Sequence, residues 1–140
     1  MARLYAQLFT LVFLVVGVVG LFLGDASHVS NGQAGGNLGS VTLHLTWFRD
    51  AVDLGFAAVF AWVGFVAPRH AGRLAVGAAG VVLVVLAIAG FIIGDNDQAT
   101  KGHADLNFPL VLNVFDMVAG GLAVLCALGT LEDEPEAGRA

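Results

Sequence analysis

Four charged residues interrupt apolar segments of this chain, and their types and spacing are the ones that suit chemistry. Arg49, Asp50 and Asp53 stand at the start of one segment, and Asp116 lies inside another. Residues three and four apart share one flank of a helix, so the first three side chains are expected to meet. Ionisable groups in membrane-spanning segments are costly, and they commonly pair with one another or mark ion pathways.

The depth of this cluster follows from the rise of an α-helix. Counted back from the inner helix ends, Asp53 and Asp116 fall about 21 Å from the inner edge of a hydrocarbon layer about 30 Å thick. Arg49 and Asp50 lie about a turn further out, and Asn113 is expected near their level. In a low dielectric, three carboxylates facing one guanidinium cannot all stay ionised, so at least one is expected to hold a proton unless water reaches them.

Two interpretations of these charges stay open. In the first they are structural, and Arg49 bridges Asp53 and Asp116 to tie two parts of the fold together. In the second, Asp50, Asp53 and Asp116 form a relay for protons or cations. Residues 55–61 offer no polar side chain that would continue such a path toward the inner side. That pattern is more typical of a closed pocket than of a channel.

The composition places the chain among membrane proteins. Of its residues 58% are hydrophobic and 12% are charged, and the mean hydropathy is +0.86, values far from those of soluble domains. The net charge of −5 lies largely in loops and in an acidic tail, which argues against nucleic acid as a partner and provides no basic patch for anionic lipid. The single cysteine, Cys126, excludes a disulfide framework and is expected to be a small buried hydrophobe.

Four apolar segments, each near the ~20 residues that span a membrane, predict four transmembrane helices. They cover residues 4–24, 49–67, 73–94 and 108–131. The fold class is therefore expected to be all-α, an integral membrane four-helix bundle that forms one domain over residues 1–131 and is followed by an acidic cytoplasmic tail at 132–140. Aromatic residues near the segment ends suit membrane interfaces. They are Tyr5, Trp47, Phe48, Trp62 and Phe108.

Basic residues divide unevenly between the two sides of the predicted bundle. One side receives Arg3, Arg69, Arg73 and Arg139, and the other receives Lys101 and the membrane-edge Arg49. The positive-inside rule therefore places both termini in the cytoplasm, in a multi-pass protein of the cell's inner (plasma) membrane. Residues 68–72 are then a tight cytoplasmic turn, and the longer connections face outward.

A repeat relates the two halves of the sequence. Residues 20–25 and 90–95 both read Gly-x-x-x-Gly-Asp, and the second and fourth segments align with Asp50 on Asp116. Both halves enter from the same side, so the chain is expected to be a tandem (parallel) repeat of two helical hairpins.

The small residues of this repeat are candidate packing positions, because they let helix backbones approach closely where lipid gives no hydrophobic drive for association. They are Gly20, Gly24, Gly90 and Gly94. Their seam lies either inside the four-helix bundle, which the two matching copies favour, or between two copies of the chain in a homo-oligomer.

Residues for other chemistries are sparse. His28, His44 and His103 fall on the outer side beside aspartates, but no local metal-ligand spacing connects them, so no metal site is predicted. The helices lack a central histidine or methionine pair suited to haem, and no nucleophile stands with a base. The chain is therefore expected to be non-enzymatic and without a cofactor.

Two short stretches resemble the second and fourth helices of a family of small four-helix bacterial membrane proteins, domain-of-unknown-function family 4383. They read Leu-Thr-Trp-Phe-Arg-Asp-Ala-Val-Asp-Leu at 45–54 and Asn-Val-Phe-Asp-Met-Val at 113–118. The resemblance covers most of residues 5–130. It implies the four-helix fold but no reaction, because that family has no assigned activity. It also implies a histidine on each of those helices, where this chain has Asp53 and Gly120.

The sequence therefore predicts a small membrane protein with a structural or accessory role, in the lipid bilayer and as a subunit of, or partner to, a larger membrane assembly. A homo-oligomer is the other form such an assembly can take. The alternative function is a small transporter or a proton- or cation-binding protein that uses the acids and Arg49.

Overall fold

The computed structural model describes residues 1–23, 37–38, 41–42, 47–93, 102–103, 106–107 and 110–129. Its helices are α1 (Ala2–Leu23), α2 (Trp47–Phe65), α3 (Arg69–Ile93) and α4 (Leu110–Gly129). Two antiparallel pairs of two-residue strands accompany them, β1 (Asn37–Leu38) with β2 (Val41–Thr42) and β3 (Gly102–His103) with β4 (Leu106–Asn107). The prediction of a helical fold with four helices is confirmed.

Three of these helices are long and apolar enough to cross a membrane by length and composition: α1, α3 and α4. The helix α2 is comparable in length, at 19 residues, but Arg49, Asp50 and Asp53 lie in its first two turns. Charged residues weigh heavily against insertion, so α2 needs compensation from its neighbours that the other three helices do not need.

The helices pack as two antiparallel hairpins. The helix α1 packs chiefly on α2, and α3 packs chiefly on α4. Contacts of α3 with α1 and α2, and of α1 with α4, join the hairpins into a bundle. At one end α1 and α3 finish while α2 and α4 begin, and we call this the cluster end; the opposite end carries Arg3, Arg69 and Arg73.

The connection between α2 and α3 is short. The backbone N–H groups of Val66 and Ala67 both donate to the carbonyl of Trp62, at 2.9 and 2.8 Å, which closes α2. The carbonyl of Pro68 accepts from the N–H of Gly72 at 2.8 Å, so α3 begins directly after the proline and earlier than the sequence predicts. Proline suits the first positions of a helix because it has no N–H to satisfy.

The outside of the bundle is more apolar than its interior. Large apolar side chains point outward on every helix, such as Leu11 at 63% exposure and Phe22 at 84%. The largest fully buried side chains include Arg49, Asp50 and Asp53. A soluble monomer rarely exposes so much contiguous apolar surface.

The interior of the first hairpin is aromatic. Tyr5 stacks on Phe9 with ring centroids 4.2 Å apart, and Phe13 lies 5.6 Å from Phe60. Phe115 of α4 reaches the same cluster, 5.3 Å from Phe13. Bulky rings therefore fill the middle of the α1–α2 contact and reach α4, while glycines bring these two helices close on either side of the rings: a Cβ added at Gly17 would lie 3.1 Å from the carbonyl oxygen of Asp50, and one at Gly64 would lie 3.2 Å from the N of Gln7.

The interior of the second hairpin is made of small residues. A Cβ added at Gly80 would lie 2.8 Å from the carbonyl oxygen of Gly120, and one added at Gly120 would lie 2.7 Å from that of Gly80. Both distances are shorter than real side chains show, so glycine at these positions lets the backbones of α3 and α4 touch.

Candidate functional site

Five polar side chains are buried together at the cluster end, and we call them the polar cluster. They are Arg49, Asp50 and Asp53 of α2 and Asn113 and Asp116 of α4, each exposed by no more than 1%. Charged residues are seldom buried to this extent unless they are paired. All five residues that the sequence analysis singled out are thus buried in the bundle interior.

The strongest contact of the polar cluster joins α2 to α4. Nη2 of Arg49 donates to Oδ1 of Asp116 at 2.7 Å and to Oδ2 at 2.8 Å. Both distances are typical of charge-assisted hydrogen bonds. Because the two residues belong to different hairpins, this pair fastens one hairpin to the other inside the apolar bundle.

A second ion pair lies within α2. Nε of Arg49 is 3.5 Å from Oδ2 of Asp53, one turn along the helix. Across the described residues, neither oxygen of Asp53 accepts a hydrogen bond. The guanidinium therefore serves two carboxylates, hydrogen-bonding one and attracting the other by charge alone.

The side chain of Asp50 takes no part in the contacts of Arg49 described above and lies against α1. A Cβ added at Gly20 would overlap the Asp50 carboxylate, so the glycine makes the space that the acid occupies. The side chain is exposed by only 1%. In the part of the chain that the structure describes, neither of its oxygens accepts a hydrogen bond. A buried polar group in that condition is destabilising unless something neutralises it.

The second hairpin repeats this contact with a neutral side chain. A Cβ added at Gly90 of α3 would overlap the amide of Asn113 on α4. Gly20 and Gly90 therefore each receive a polar side chain from the neighbouring helix of their own hairpin. This supports a packing seam inside the bundle rather than between copies of the chain. The other two predicted packing glycines, Gly24 and Gly94, lie outside the described residues.

The charges of the polar cluster do not balance. One guanidinium faces three carboxylates, so two negative charges would remain if all groups were ionised. Arrangements of this kind can bind protons or cations, or hold helices together. Within the described residues, no three His, Cys, Asp or Glu side chains converge to hold a metal ion. Of the three histidines considered for metal binding, His28 and His44 lie outside the described residues, and His103 ends the strand β3.

The sequence did not predict the hydrogen bond by which Tyr5 joins the two hairpins. Its hydroxyl donates to the backbone carbonyl oxygen of Ala119 at 2.7 Å, from α1 to α4. The side chain is only 5% exposed, whereas Trp47 and Trp62 are 54% and 46% exposed. Tyr5 therefore faces the bundle interior, and its position at a membrane interface stays a prediction. No local pattern separates the two cases, since a tyrosine near a helix start suits either.

Two side chains of α1 cap the C-terminal end of α2. The carbonyl oxygen of Gly64 accepts from Nε of Arg3 and from Nε2 of Gln7, both at 3.0 Å. This carbonyl lies in the last turn of its helix and lacks an intrahelical partner. A guanidinium there also offsets the negative end of the helix dipole.

No protein-family model matches the chain, and neither the curated proteins nor the solved structures include one that matches it. The resemblance to domain-of-unknown-function family 4383 therefore stays a prediction. Inferences about function rest on the polar cluster and on the helices that position it.

Proposed function

We propose that this chain is a multi-pass protein of the inner membrane with a structural or accessory role, acting as a subunit of, or partner to, a larger membrane assembly. The observation that carries the proposal is the buried pair of Arg49 and Asp116, whose 2.7 Å contact joins the two hairpins. A charge pair of this kind fixes how two helical units dock, even where its net stabilisation is small.

Membrane insertion is supported by the distribution of side chains. Three helices have the required length and apolar composition, and large apolar groups cover their outward faces. In lipid those faces have a favourable environment, and the interior can use small and polar residues for helix contacts. The fourth span, α2, hides its three charges against α1 and α4.

A tandem repeat of two hairpins is supported by the buried positions. Along α1 and α3, buried Phe13, Gly17 and Gly20 correspond in order to buried Leu83, Ala87 and Gly90. The short strand pairs fit as well, because each lies between the first and second helix of its hairpin. The repeat unit is then helix, strand pair, helix.

The burial pattern supports a different register for the second helix of each unit than the sequence alignment did. Asp53 corresponds to Asp116, and Asp50 corresponds to Asn113, which rests on glycine as Asp50 does. Alignment of Asp50 with Asp116 matches the residue types. In that register, however, Asp50 and Asn113, which contact Gly20 and Gly90, would no longer correspond to each other.

Orientation with both termini in the cytoplasm follows from the positive-inside rule, since Arg3, Arg69 and Arg73 lie at the end opposite the polar cluster. The test uses His70, which is exposed in the first turn of α3. In a Cys126→Ser background, His70→Cys should react with a membrane-impermeant thiol reagent only in inverted vesicles. Labelling in intact cells would reverse the topology.

The structural role is favoured over a relay because, in the helices that the structure describes, no buried charged or amide side chain continues the polar cluster toward the arginine end. The interior that follows it there is built from Phe13, Phe60 and Phe9. A proton or cation would meet this aromatic layer directly after Asp53.

The test compares a variant that removes the cation of the buried pair with one that neutralises a carboxylate and keeps its shape. Arg49→Ala leaves buried carboxylates without their cation and should lower the free energy of unfolding by about 3–5 kcal/mol. Asp116→Asn keeps the shape and an acceptor for the guanidinium, so it should be less destabilising. Thermal unfolding in detergent measures both. Without the guanidinium, the folded protein takes up protons that the unfolded chain lacks at neutral pH, so the stability of Arg49→Ala should rise as the pH falls.

The same variants separate the two functions in proteoliposomes. A structural role predicts no proton or cation flux from the wild-type protein above that of empty vesicles. Flux that disappears in Asp116→Asn, in a protein whose melting curve is nearly unchanged, would replace the structural proposal with a transport function.

A further inference from the structure

We propose that Asp50 is a reversible proton-binding site, in which the side chain is held as a neutral carboxylic acid at the seam between α1 and α2. The proposal goes beyond the structural role inferred above and does not depend on it. It rests on three observations: the burial and missing partners of Asp50, the surplus of acid over base around it, and the neutral side chain at the corresponding place in the second hairpin.

The surroundings of Asp50 disfavour a carboxylate. The side chain is 1% exposed, and within the described chain neither oxygen accepts a hydrogen bond. On the α1 side it faces the Cα of Gly20, which carries no strong donor. An ionised carboxylate there would lose its hydration without recovering hydrogen bonds, whereas a protonated one loses far less.

The cation that the described residues place in this cluster, Arg49, is already engaged. It hydrogen-bonds Asp116 and attracts Asp53, so these two carboxylates hold most of its charge. A third negative charge on Asp50 would face two others, with no further base among the buried side chains that the structure describes. Protonation of Asp50 removes that repulsion without disturbing either ion pair.

The other helices and strands that the structure describes supply no balancing cation. The titratable residues of α1 are Arg3 and Tyr5, and those of α3 are Arg69, His70 and Arg73. The arginines and His70 lie at the opposite end of the bundle, and Tyr5 is neutral, with its hydroxyl bound to the carbonyl oxygen of Ala119. The helix α4 contributes Asp116 and the more distant Cys126, and the strand β4, which also contacts α2, has no titratable residue.

The second hairpin shows which side chain this geometry accepts. Asn113 rests on Gly90 as Asp50 rests on Gly20. A carboxamide and a carboxylic acid have nearly the same shape, and both are neutral with one donor end and one acceptor end. Protonated Asp50 is therefore the acid counterpart of an amide that the same packing already contains.

A proton fits the site better than a metal ion does. A cation needs several converging oxygen ligands, and the described residues hold no group of three acidic, histidine or cysteine side chains that could supply them. One proton completes the site by forming a single O–H bond on Asp50. Its release leaves a carboxylate against the backbone of α1, which should weaken the α1–α2 contact at the cluster end.

Infrared spectroscopy of the purified full-length protein in lipid tests the proposal. At neutral pH the wild-type spectrum should contain a carboxylic-acid C=O stretching band from a group shielded from water, and Asp50→Asn should lose it. The band should bleach as the pH is raised and return when it is lowered. Asp53→Asn is the matched variant, one turn along the same helix, and it should keep the band.

The outcomes are distinct. A wild-type spectrum without an acid band overturns the proposal, and so does a band that survives Asp50→Asn and vanishes in Asp53→Asn. Thermal unfolding gives a second readout in case one variant folds poorly. The folded state binds a proton that the unfolded state releases, so wild-type stability should fall as the pH rises through the range where the band bleaches. Asp50→Asn should lose that dependence, and equal slopes for the two proteins would contradict the proposal.

Discussion

The two hairpins differ in the side chains that lie between their helices. In the first, aromatic rings such as Phe13 and Phe60 fill the interior, and charged groups close its cluster end. In the second, Gly80 and Gly120 bring the backbones into contact, and the neutral Asn113 closes the same end. The first hairpin has close glycine contacts as well, since a Cβ added at Gly17 would lie 3.1 Å from the carbonyl oxygen of Asp50. The difference therefore lies in the aromatic rings and charged groups of the first hairpin, and it teaches that one helix-pair arrangement accommodates them beside its glycines.

The difference also makes the hairpins complementary. The first hairpin supplies Arg49, and the second supplies Asp116, which binds that arginine. In the proposed repeat, Asp116 takes the place of Asp53, and the place of Arg49 is taken in α4 by the apolar Leu112, which is 5% exposed. Two identical copies of either hairpin would place like charges together or leave none to pair. The unequal ends therefore specify one first hairpin docked on one second hairpin.

Among the substitutions that test this comparison of the hairpins, the largest effect is expected where α3 and α4 approach closely in the second hairpin. Gly120→Leu places a side chain where a Cβ alone would lie 2.7 Å from the carbonyl oxygen of Gly80, so α3 and α4 must separate. We expect a loss of about 3 kcal/mol in detergent unfolding, at the upper part of the usual range for overpacking. Gly121→Leu is the control, because a Cβ there meets nothing within 4 Å. Equal effects of the two substitutions would show that the backbones are not in contact.

The next largest effect is expected from a substitution that removes a ring at the centre of the aromatic interior. Phe13→Ala should destabilise the protein by about 2 kcal/mol, which counts only the cavity term of roughly 24 cal/mol for each Å³ left behind, because in lipid or detergent the loss of burial from water contributes little. Phe22→Ala on the same helix is the control, since that ring is 84% exposed, and it should change stability little. A Phe13→Ala variant that unfolds like wild type would mean that the aromatic rings do not stabilise the contact between α1 and α2.

Asn113→Asp makes the second hairpin resemble the first. It adds a buried acid to a region that already has more acid than base, so at neutral pH we expect a loss of about 1–2 kcal/mol. The folded variant should bind a proton that its unfolded state does not, and its stability should therefore recover as the pH falls. Parallel melting series from acidic to neutral pH, with wild type beside the variant, measure this. A deficit that persists in acid would point to lost amide contacts instead.

The smallest effect concerns the neutral link between the hairpins. Tyr5→Phe removes the hydroxyl that donates to the Ala119 carbonyl oxygen at 2.7 Å and keeps the ring stacked on Phe9. The expected loss is about 1 kcal/mol, the usual net value of such a hydrogen bond. Phe9→Leu keeps the hydroxyl and alters the stack, so it separates the two contributions. Stability unaffected by Tyr5→Phe would leave the ion pair as the main polar link.

Much of the helical architecture could be predicted from the sequence, because apolar runs of membrane length leave few alternatives. The polar cluster could be predicted too, since Arg49, Asp53 and Asp116 stand out against apolar neighbours. The sequence also predicts the partners of Arg49, since the interpretation in which it bridges Asp53 and Asp116 agrees with both contacts, but it does not predict the surroundings of Asp50. Asp50 was aligned with Asp116 because the types match, yet Asp50 rests on Gly20 and Asp116 binds Arg49. Such partners depend on how helices are rotated against each other.

Small residues were the harder case. Gly20 and Gly90 were predicted as packing positions from a repeated motif, but Gly80 and Gly120, where the backbones touch, belong to no motif of that kind. Glycine is frequent in this chain, with 19 residues, and a glycine at a helix contact has the same local sequence as one facing outward. Gly120 and Gly121 are neighbours with opposite surroundings, and only the three-dimensional packing separates them.

The shared guanidinium has a consequence for how the protein is made. In the proposed membrane topology, the three charges of α2 each weigh against its entry into lipid as it emerges from the ribosome. The penalty of each is below the roughly 2.5–3.5 kcal/mol of a charge at the centre of a span, because all three lie in the first two turns of the helix. The partner that hydrogen-bonds Arg49, on α4, is synthesised only later. We therefore expect α2 to remain in the insertion machinery, or at the membrane surface, until α4 arrives. Truncated chains that contain α1, α2 and α3 but lack α4 should therefore be substrates for membrane quality-control proteases.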